Sequence, residues 1–267
     1  MFYNSILSAQ VGYDHAGSRS NALGDASLTL ADVYSVNNNQ GALAFVERTT
    51  FGISAQNIYG IEALNSFWGA GAFVTKAGNF GVSANYFGYE LFNHTKIGAA
   101  YSRKLGENVG VGIQLDYVAT KATDDGSSNS ESVNGSAFTF EAGIRYKPYK
   151  NLIAAARIFN PLQVKLGDGF PDEELPALLN IGISYVPSDK VIIAIEGEQR
   201  LDADLRIKTG IEYRIIEQLF LRGGYISNPS LFTCGAGVSL KRLSIDLAAQ
   251  FHQQLGLTPG IGIQYSL

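Results

Sequence analysis

The sequence predicts an all-β fold: a transmembrane antiparallel β-barrel of about fourteen strands behind a short plug-like segment of helical turns and irregular chain. Three observations predict it. From Phe51 to the end, apolar and polar residues alternate with period two. The connections between the alternating runs are tight at every even position, and the long ones fall only at odd positions. Tyrosines gather at the two ends of the apolar faces.

The composition agrees. Charged residues are 16% of 267, against roughly 25% in soluble domains. The 30 glycines and the 29 residues of Tyr plus Phe (14 + 15) favour strands over helices. No apolar run reaches the roughly 18 residues of a membrane helix, so a membrane protein with this sequence must close its backbone pairing in a barrel. A net charge of −4 offers no basic face for nucleic acid.

In chain order, residues 1–9 end in Ser8-Ala9, which resembles an export cleavage site, and are expected to be a signal-peptide remnant. Residues 10–48 lack the strand pattern and are expected to be a plug or cap. Residues 49–267 are the barrel, with strands expected near 50–58, 67–75, 79–87, 95–103, 109–118, 137–147, 152–159, 177–186, 191–199, 204–215, 219–226, 231–240, 243–252 and 259–267. In one clear run Leu243, Ile245, Leu247 and Phe251 alternate with Ser244, Asp246, Ala248 and Gln250. A helix would spread those polar residues around its surface. Runs of about 9–11 residues suit tilted crossing of a bilayer. Tight turns such as 76–79, 105–108, 148–151 and 187–190 mark one rim, and the polar stretches 120–136 and 160–176 mark the other. Tyr101, Tyr146, Tyr185, Tyr213 and Tyr265 fall near the tight rim; Tyr86, Tyr117 and Tyr225 fall near the loop rim.

Within the plug segment, Ala16-Gly17-Ser18-Arg19-Ser20-Asn21-Ala22-Leu23-Gly24-Asp25-Ala26 resembles the opening motif of the FadL-like superfamily of outer-membrane barrels, which includes the PorV/PorQ branch of type IX secretion. Leu30-Ala31-Asp32 followed by Asn38-Asn39-Gln40-Gly41-Ala42-Leu43-Ala44 resembles its continuation, with Gln40 where the family has Pro. The resemblance marks Arg19, Leu23, Gly24, Asp32, Asn39 and Gly41 as plug-motif residues. It implies fourteen strands and the outer membrane of a Gram-negative bacterium.

The inward face carries both charge signs. Asp116, Glu141, Arg145, Glu196, Arg206, Glu212, Arg214 and Asp246 are expected to form a lumen charge network, accompanied by Arg157, Glu198, Lys208 and Arg222. Buried charges need partners, so salt bridges and the plug should close the lumen; a polar conduction path is the alternative. Ile153, Phe159, Phe220 and Ile226 break the polar face and are candidates for an apolar lumen pocket.

His15, His94 and His252 lack metal-ligand spacing, and Cys234 is the single cysteine. Asp124, Asp125 and the acidic stretch 168–174 read as solvated loops. No nucleophile motif is present, so no enzyme activity, cofactor or metal is expected. Basic residues at the tight turns, among them Lys76, Lys150, Lys241 and Arg242, are expected to meet lipid phosphates or a periplasmic partner. The expected partners are outer-membrane lipid, other outer-membrane or periplasmic proteins, and a hydrophobic ligand or lipid. The leading functional expectation, implied by the PorV/PorQ resemblance, is a non-enzymatic accessory or scaffold subunit of an outer-membrane secretion or biogenesis complex. The alternative is passive FadL-like transport of hydrophobic small molecules such as fatty acids.

Overall fold

The computed structural model describes residues 15–123, 132–167, 174–201 and 203–267. Residues 1–9, Asp124, Asp125, Asp168 and Asp172 lie outside the described residues.

Fourteen strands form one closed antiparallel barrel. They are β1 (Thr50–Asn57), β2 (Asn65–Thr75), β3 (Gly78–Gly88), β4 (Phe92–Lys104), β5 (Val109–Thr123), β6 (Ser132–Tyr149) and β7 (Leu152–Phe159). The second half comprises β8 (Leu178–Ser188), β9 (Val191–Arg200), β10 (Arg206–Ile216), β11 (Leu219–Ile226), β12 (Leu231–Ser239), β13 (Leu243–His252) and β14 (Gly256–Ser266). The ladder from Thr50↔Ser266 to Gln56↔Gly260 joins the first strand to the last, so no edge is left open.

Burial is inverted relative to a soluble sheet. On β13, Ile245, Leu247 and Phe251 are exposed, while Asp246, Ala248 and Gln250 are buried. The same holds around the barrel, with Phe138 at 77%, Leu115 at 67% and Ile53 at 64% exposure. Water would not tolerate so large an apolar belt; a bilayer covers it. A soluble sandwich would bury these side chains, so the inversion excludes that alternative. Tyr117 stacks on Phe138 and Tyr225 on Phe232 at the loop end, and the Tyr101 hydroxyl donates to Ala77 O (2.7 Å) at the turn end.

One connection differs from expectation, and a second has more structure than a loop. The polar stretch 120–136 is not one loop: β5 and β6 stay paired as far as Thr123↔Ser132. Ladder hydrogen bonds continue past the apolar band, where the side-chain pattern no longer reports the strand. The long connection 160–176 also has a buried part on either side of the acidic stretch 168–174, of which only Glu174 is described. Leu166 and Leu175 are buried against Val118, with Ala137 and Val164 beside them, although Glu174 is exposed.

The segment before β1 lies inside the barrel. Between His15 and Val46 every residue is buried except Arg19, Ala31, Asp32 and Phe45, which are half-buried. It contains three single turns of helix: α1 (Ser18–Ala22), α2 (Ser35–Asn38) and α3 (Gln40–Leu43). Such short turns leave most backbone groups without helical partners. Asparagine side chains supply them. Asn38 accepts from Ala16 N (2.7 Å) and donates to Ala16 O (3.0 Å). Asn79 of β3 donates to Leu43 O (2.8 Å) and Val46 O (2.9 Å).

Candidate functional site

The lumen and its plug are the only place in the described residues where polar chemistry and burial converge. The plug meets the wall in three ways.

The first is backbone contact at glycines. A β-carbon on Gly110, Gly112 or Gly143 of β5 and β6 would overlap Gly41 O, Gln40 O or Asn39 Oδ1. A β-carbon on Gly41 itself would stand 2.6 Å from Ile144 Cα. Across the lumen, Gly210 and Gly224 of β10 and β11 receive Leu23 and Gly24 in the same way. Gly24 also has a φ of 62°, and its missing side chain would meet Thr209 O at 2.7 Å, so both conformation and space require glycine. Asn39 locks the first contact by donating to Leu28 O (2.8 Å) and Ile144 O (3.2 Å) and accepting from Gly41 N (2.9 Å). Leu23, Gly24, Asn39 and Gly41 of the plug motif are therefore wall contacts.

The second is an apolar face. Val33, Tyr34, Val36, Leu43 and Val46 pack against Trp68, Ala72 and Ala100 of β2 and β4.

The third is a belt of buried ions on β4 to β13, in three groups. In the first, Glu141 accepts from Lys96 and from Arg157 (2.7 Å), and Lys96 Nζ is 3.8 Å from Asp116. The plug joins through Gln40, which donates to Glu141 (2.9 Å). In the second, Glu198 holds Arg206 (2.9 Å) and Lys208 (2.8 Å), and Glu196 lies 3.7 Å from Lys208 and 3.3 Å from His15 of the plug. In the third, Glu212 accepts from Arg19 of the plug (2.7 and 2.8 Å) and from Arg222 (2.6 Å), while Arg222 also reaches Asp246 (2.6 Å). Asp32 stands 3.5 Å from Arg19 and accepts from Tyr34 N (2.9 Å). The first two groups each balance two cations against two carboxylates, which is what ions withdrawn from water need.

On the plug, burial holds His15 well below its ordinary pKa, with Lys208 and Arg157 adding to the effect. The ring is neutral at pH 7, and its Nδ1 donates to Asp25 O, since a carbonyl only accepts. Burial pushes the Asp32 carboxyl up, opposed by Arg19. Burial also works against the Arg19 charge, but Glu212 outweighs it and the group titrates above its usual range.

Of the eight residues expected to form the network, Asp116, Glu141, Glu196, Arg206, Glu212 and Asp246 join these groups. Arg145 does not: its Nε donates to Thr29 O (2.8 Å), and its guanidinium stacks over Phe45 at 4.3 Å. Arg214 is half-buried near the turn rim and makes no ion pair among the described residues. Lys96 was absent from the expected set. It shares the inward parity of His94, Ala100 and Ser102 on β4, and that parity was the available signal.

The expected apolar pocket is corrected. Phe159 and Ile226 are buried at the loop ends of β7 and β11, whereas Ile153 and Phe220 lie at the turn ends of the same strands. Four strands of separation and opposite heights keep the four from forming one cavity. Phe159 serves instead as a ring beneath the cations of Lys96 (5.1 Å) and Arg157 (5.9 Å). The apolar patch that does form is at the loop-side mouth: Val118, Leu166 and Leu175, with Phe159 facing Leu178 in the neighbouring ladder.

The outer wall carries a groove of about 510 Å³ over Gly69, bordered by Ile53, Phe67, Ala84, Tyr86 and Ile97. Nothing lies within 4 Å of the position a Gly69 side chain would take. The β1–β2 and β2–β3 ladders run unbroken behind it.

No family model and no curated protein matches this chain. Solved structures do. The monoaromatic hydrocarbon channel CymD superposes with a TM-score of 0.75 at 12% identity, covering 97% of this chain and 99% of that one. The Ralstonia pickettii toluene transporter TbuX gives 0.73 at 14% identity, with 96% and 99% covered. A Pseudomonas aeruginosa FadL homologue gives 0.68 at 12% identity, with 94% and 98% covered. The chain thus has the fold of the FadL-family outer-membrane barrels. The expectation of a secretion or biogenesis subunit is overturned: CymD is a monoaromatic hydrocarbon channel, TbuX is a toluene transporter and the third is a FadL homologue.

Proposed function

We propose that this protein is a Gram-negative outer-membrane channel for passive uptake of hydrophobic small molecules, monoaromatic hydrocarbons or fatty acids in class. The observation that carries the reading is the buried apolar patch of Val118, Leu166 and Leu175 at the loop-side mouth, set above a lumen crossed by a plug. An open porin has no use for an apolar patch in its mouth, because ions and sugars gain nothing from it. A hydrophobic solute does gain, by shedding its hydration against Leu166 and Leu175 once these buried side chains part to admit it. The fold shared with a toluene transporter, a monoaromatic hydrocarbon channel and a FadL homologue supports the same assignment. Below the patch the ion belt and plug bar free diffusion, so net passage requires the plug to yield or the wall strands to part.

The test is uptake of labelled toluene and labelled oleate by cells expressing the protein, compared with cells that lack it. Leu175→Asp places a carboxylate in the patch and should lower uptake about tenfold, the equivalent of roughly 1.4 kcal/mol of lost apolar contact. Uptake that is identical with and without the protein for both solutes would sink the proposal.

A further inference from the structure

The charge on the two rims of the barrel is unequal. Four of the six tight turns carry lysine or arginine, namely Lys76, Lys150, Lys190 and the pair Lys241 and Arg242, and Arg103 and Lys104 end β4 just before a fifth. The carboxylates on this rim are fewer: Glu47, Glu107, Asp189 and Glu217. At the described part of the loop rim, Glu62, Glu90, Glu174 and Asp204 outnumber Lys121, Lys165 and Arg200. The basic excess therefore belongs to the turn rim, directly beyond the belt of Tyr101, Tyr146, Tyr185, Tyr213 and Tyr265. Tyrosine sits where hydrocarbon meets headgroup, so these cations lie at headgroup level.

At one place on this rim the cations border a notch. It has a volume of about 630 Å³ and lies between the β10–β11 turn (Glu217, Gln218) and the β12–β13 turn (Ser239, Leu240, Lys241, Arg242), with Leu243 at its edge. Arg48, in the link from plug to barrel, donates to Lys241 O (3.4 Å) and so stands beside it. Arg48, Lys241 and Arg242 are exposed and make no ion pair among the described residues. Glu217 is the one carboxylate on the lining. Exposed Leu240, Val238 and Ile216 continue from the notch onto the membrane face.

We propose that this notch binds an anionic glycerophospholipid of the leaflet that meets the turn rim, with phosphate at Arg48, Lys241 and Arg242 and acyl chains along Val238 and Ile216. Arg48, Lys241 and Arg242 against Glu217 and Glu47, the exposed chain neighbour of Arg48, leave a net positive charge for the phosphate, and the adjoining apolar strip suits a lipid better than a free anion. The assignment rests on the membrane-facing exterior and is independent of the uptake reading.

The test uses the full chain in phosphatidylcholine bicelles containing phosphatidylglycerol, with native mass spectrometry counting the lipids retained on the released barrel. Phosphatidylglycerol should be retained over phosphatidylcholine, and the triple variant Arg48→Gln, Lys241→Gln, Arg242→Gln should lose that preference by roughly tenfold or more. The heat-dependent gel mobility of a closed barrel confirms that the variant is folded. A control variant, Lys76→Gln with Lys150→Gln on other turns, should keep the preference. Equal retention of the two lipids, an unchanged preference in the triple variant, or competition by inorganic phosphate without any lipid preference would each overturn the proposal. So would an acidic protein that occupies the three residues in place of lipid.

Discussion

The plug faces two unlike walls. Toward β1–β4 it presents Val33, Tyr34, Val36 and Leu43 to Trp68, Ala72 and Ala100, a dry contact like any protein core. Toward β9–β13 it presents His15 and Arg19 to Glu196 and Glu212, inside a belt of buried ions. The first contact depends on shape and is insensitive to pH. The second depends on protonation, and each ion there is tolerable only while its partner is present. His15 and Arg19 thus tie residues 15–32 to the wall by conditional contacts that residues 33–46 lack, apart from the Gln40 amide on Glu141.

Breaking the ionic wall should have the largest effect. Glu212→Ala strips Arg19 and Arg222 of a shared partner and should destabilise the barrel by about 3–5 kcal/mol. Denaturant unfolding in detergent measures it, and a loss below about 1 kcal/mol would show that water replaces the carboxylate freely.

The glycine contacts should come next. Gly143→Val forces a side chain into Asn39 and Gln40, costs about 1–3 kcal/mol and dislodges α3, so steady ion conductance should rise in a planar bilayer. The same change at Gly69 points into the open outer groove and should leave conductance at the wild-type level. Equal behaviour of the two variants would mean that the plug does not seal the lumen.

The smallest effect is pH-dependent. The folded pKa of His15 lies well below its ordinary 6.5, so below pH 6.5 the unfolded chain binds a proton that the folded plug does not. Stability from this group is complete above pH 6.5 and is lost as pH falls toward the folded value. Hydrogen exchange of residues 15–32 should quicken between pH 7 and pH 5, while residues 33–46 stay protected. His15→Gln should abolish the difference, and a pH response unchanged in that variant would assign the effect to other groups.

Much of this was legible in the chain. Period two placed Asp246 and Gln250 inside and Leu247 and Phe251 outside, and turn parity separated the rims, because both are local properties of a strand. The lumen charges were legible as a set but not as pairs. Arg19 meets Glu212 across 193 residues, and parity carries no information about which inward side chain faces which. The misplaced pocket has the same origin. Ile153 and Phe159 share a face, but only the finished strand shows that they stand at opposite ends of it.

The sequence by itself determined the strands, their number, their apolar exterior and the compact segment ahead of them. Alternation and turn residues are written within about ten neighbouring positions and need no distant partner. The tertiary structure alone decided which glycines admit the plug, which ions neutralise one another and where the mouth is apolar. Those outcomes depend on barrel closure and on the height of each strand, which bring residues such as Gly41 and Ile144 into contact from far apart in the chain.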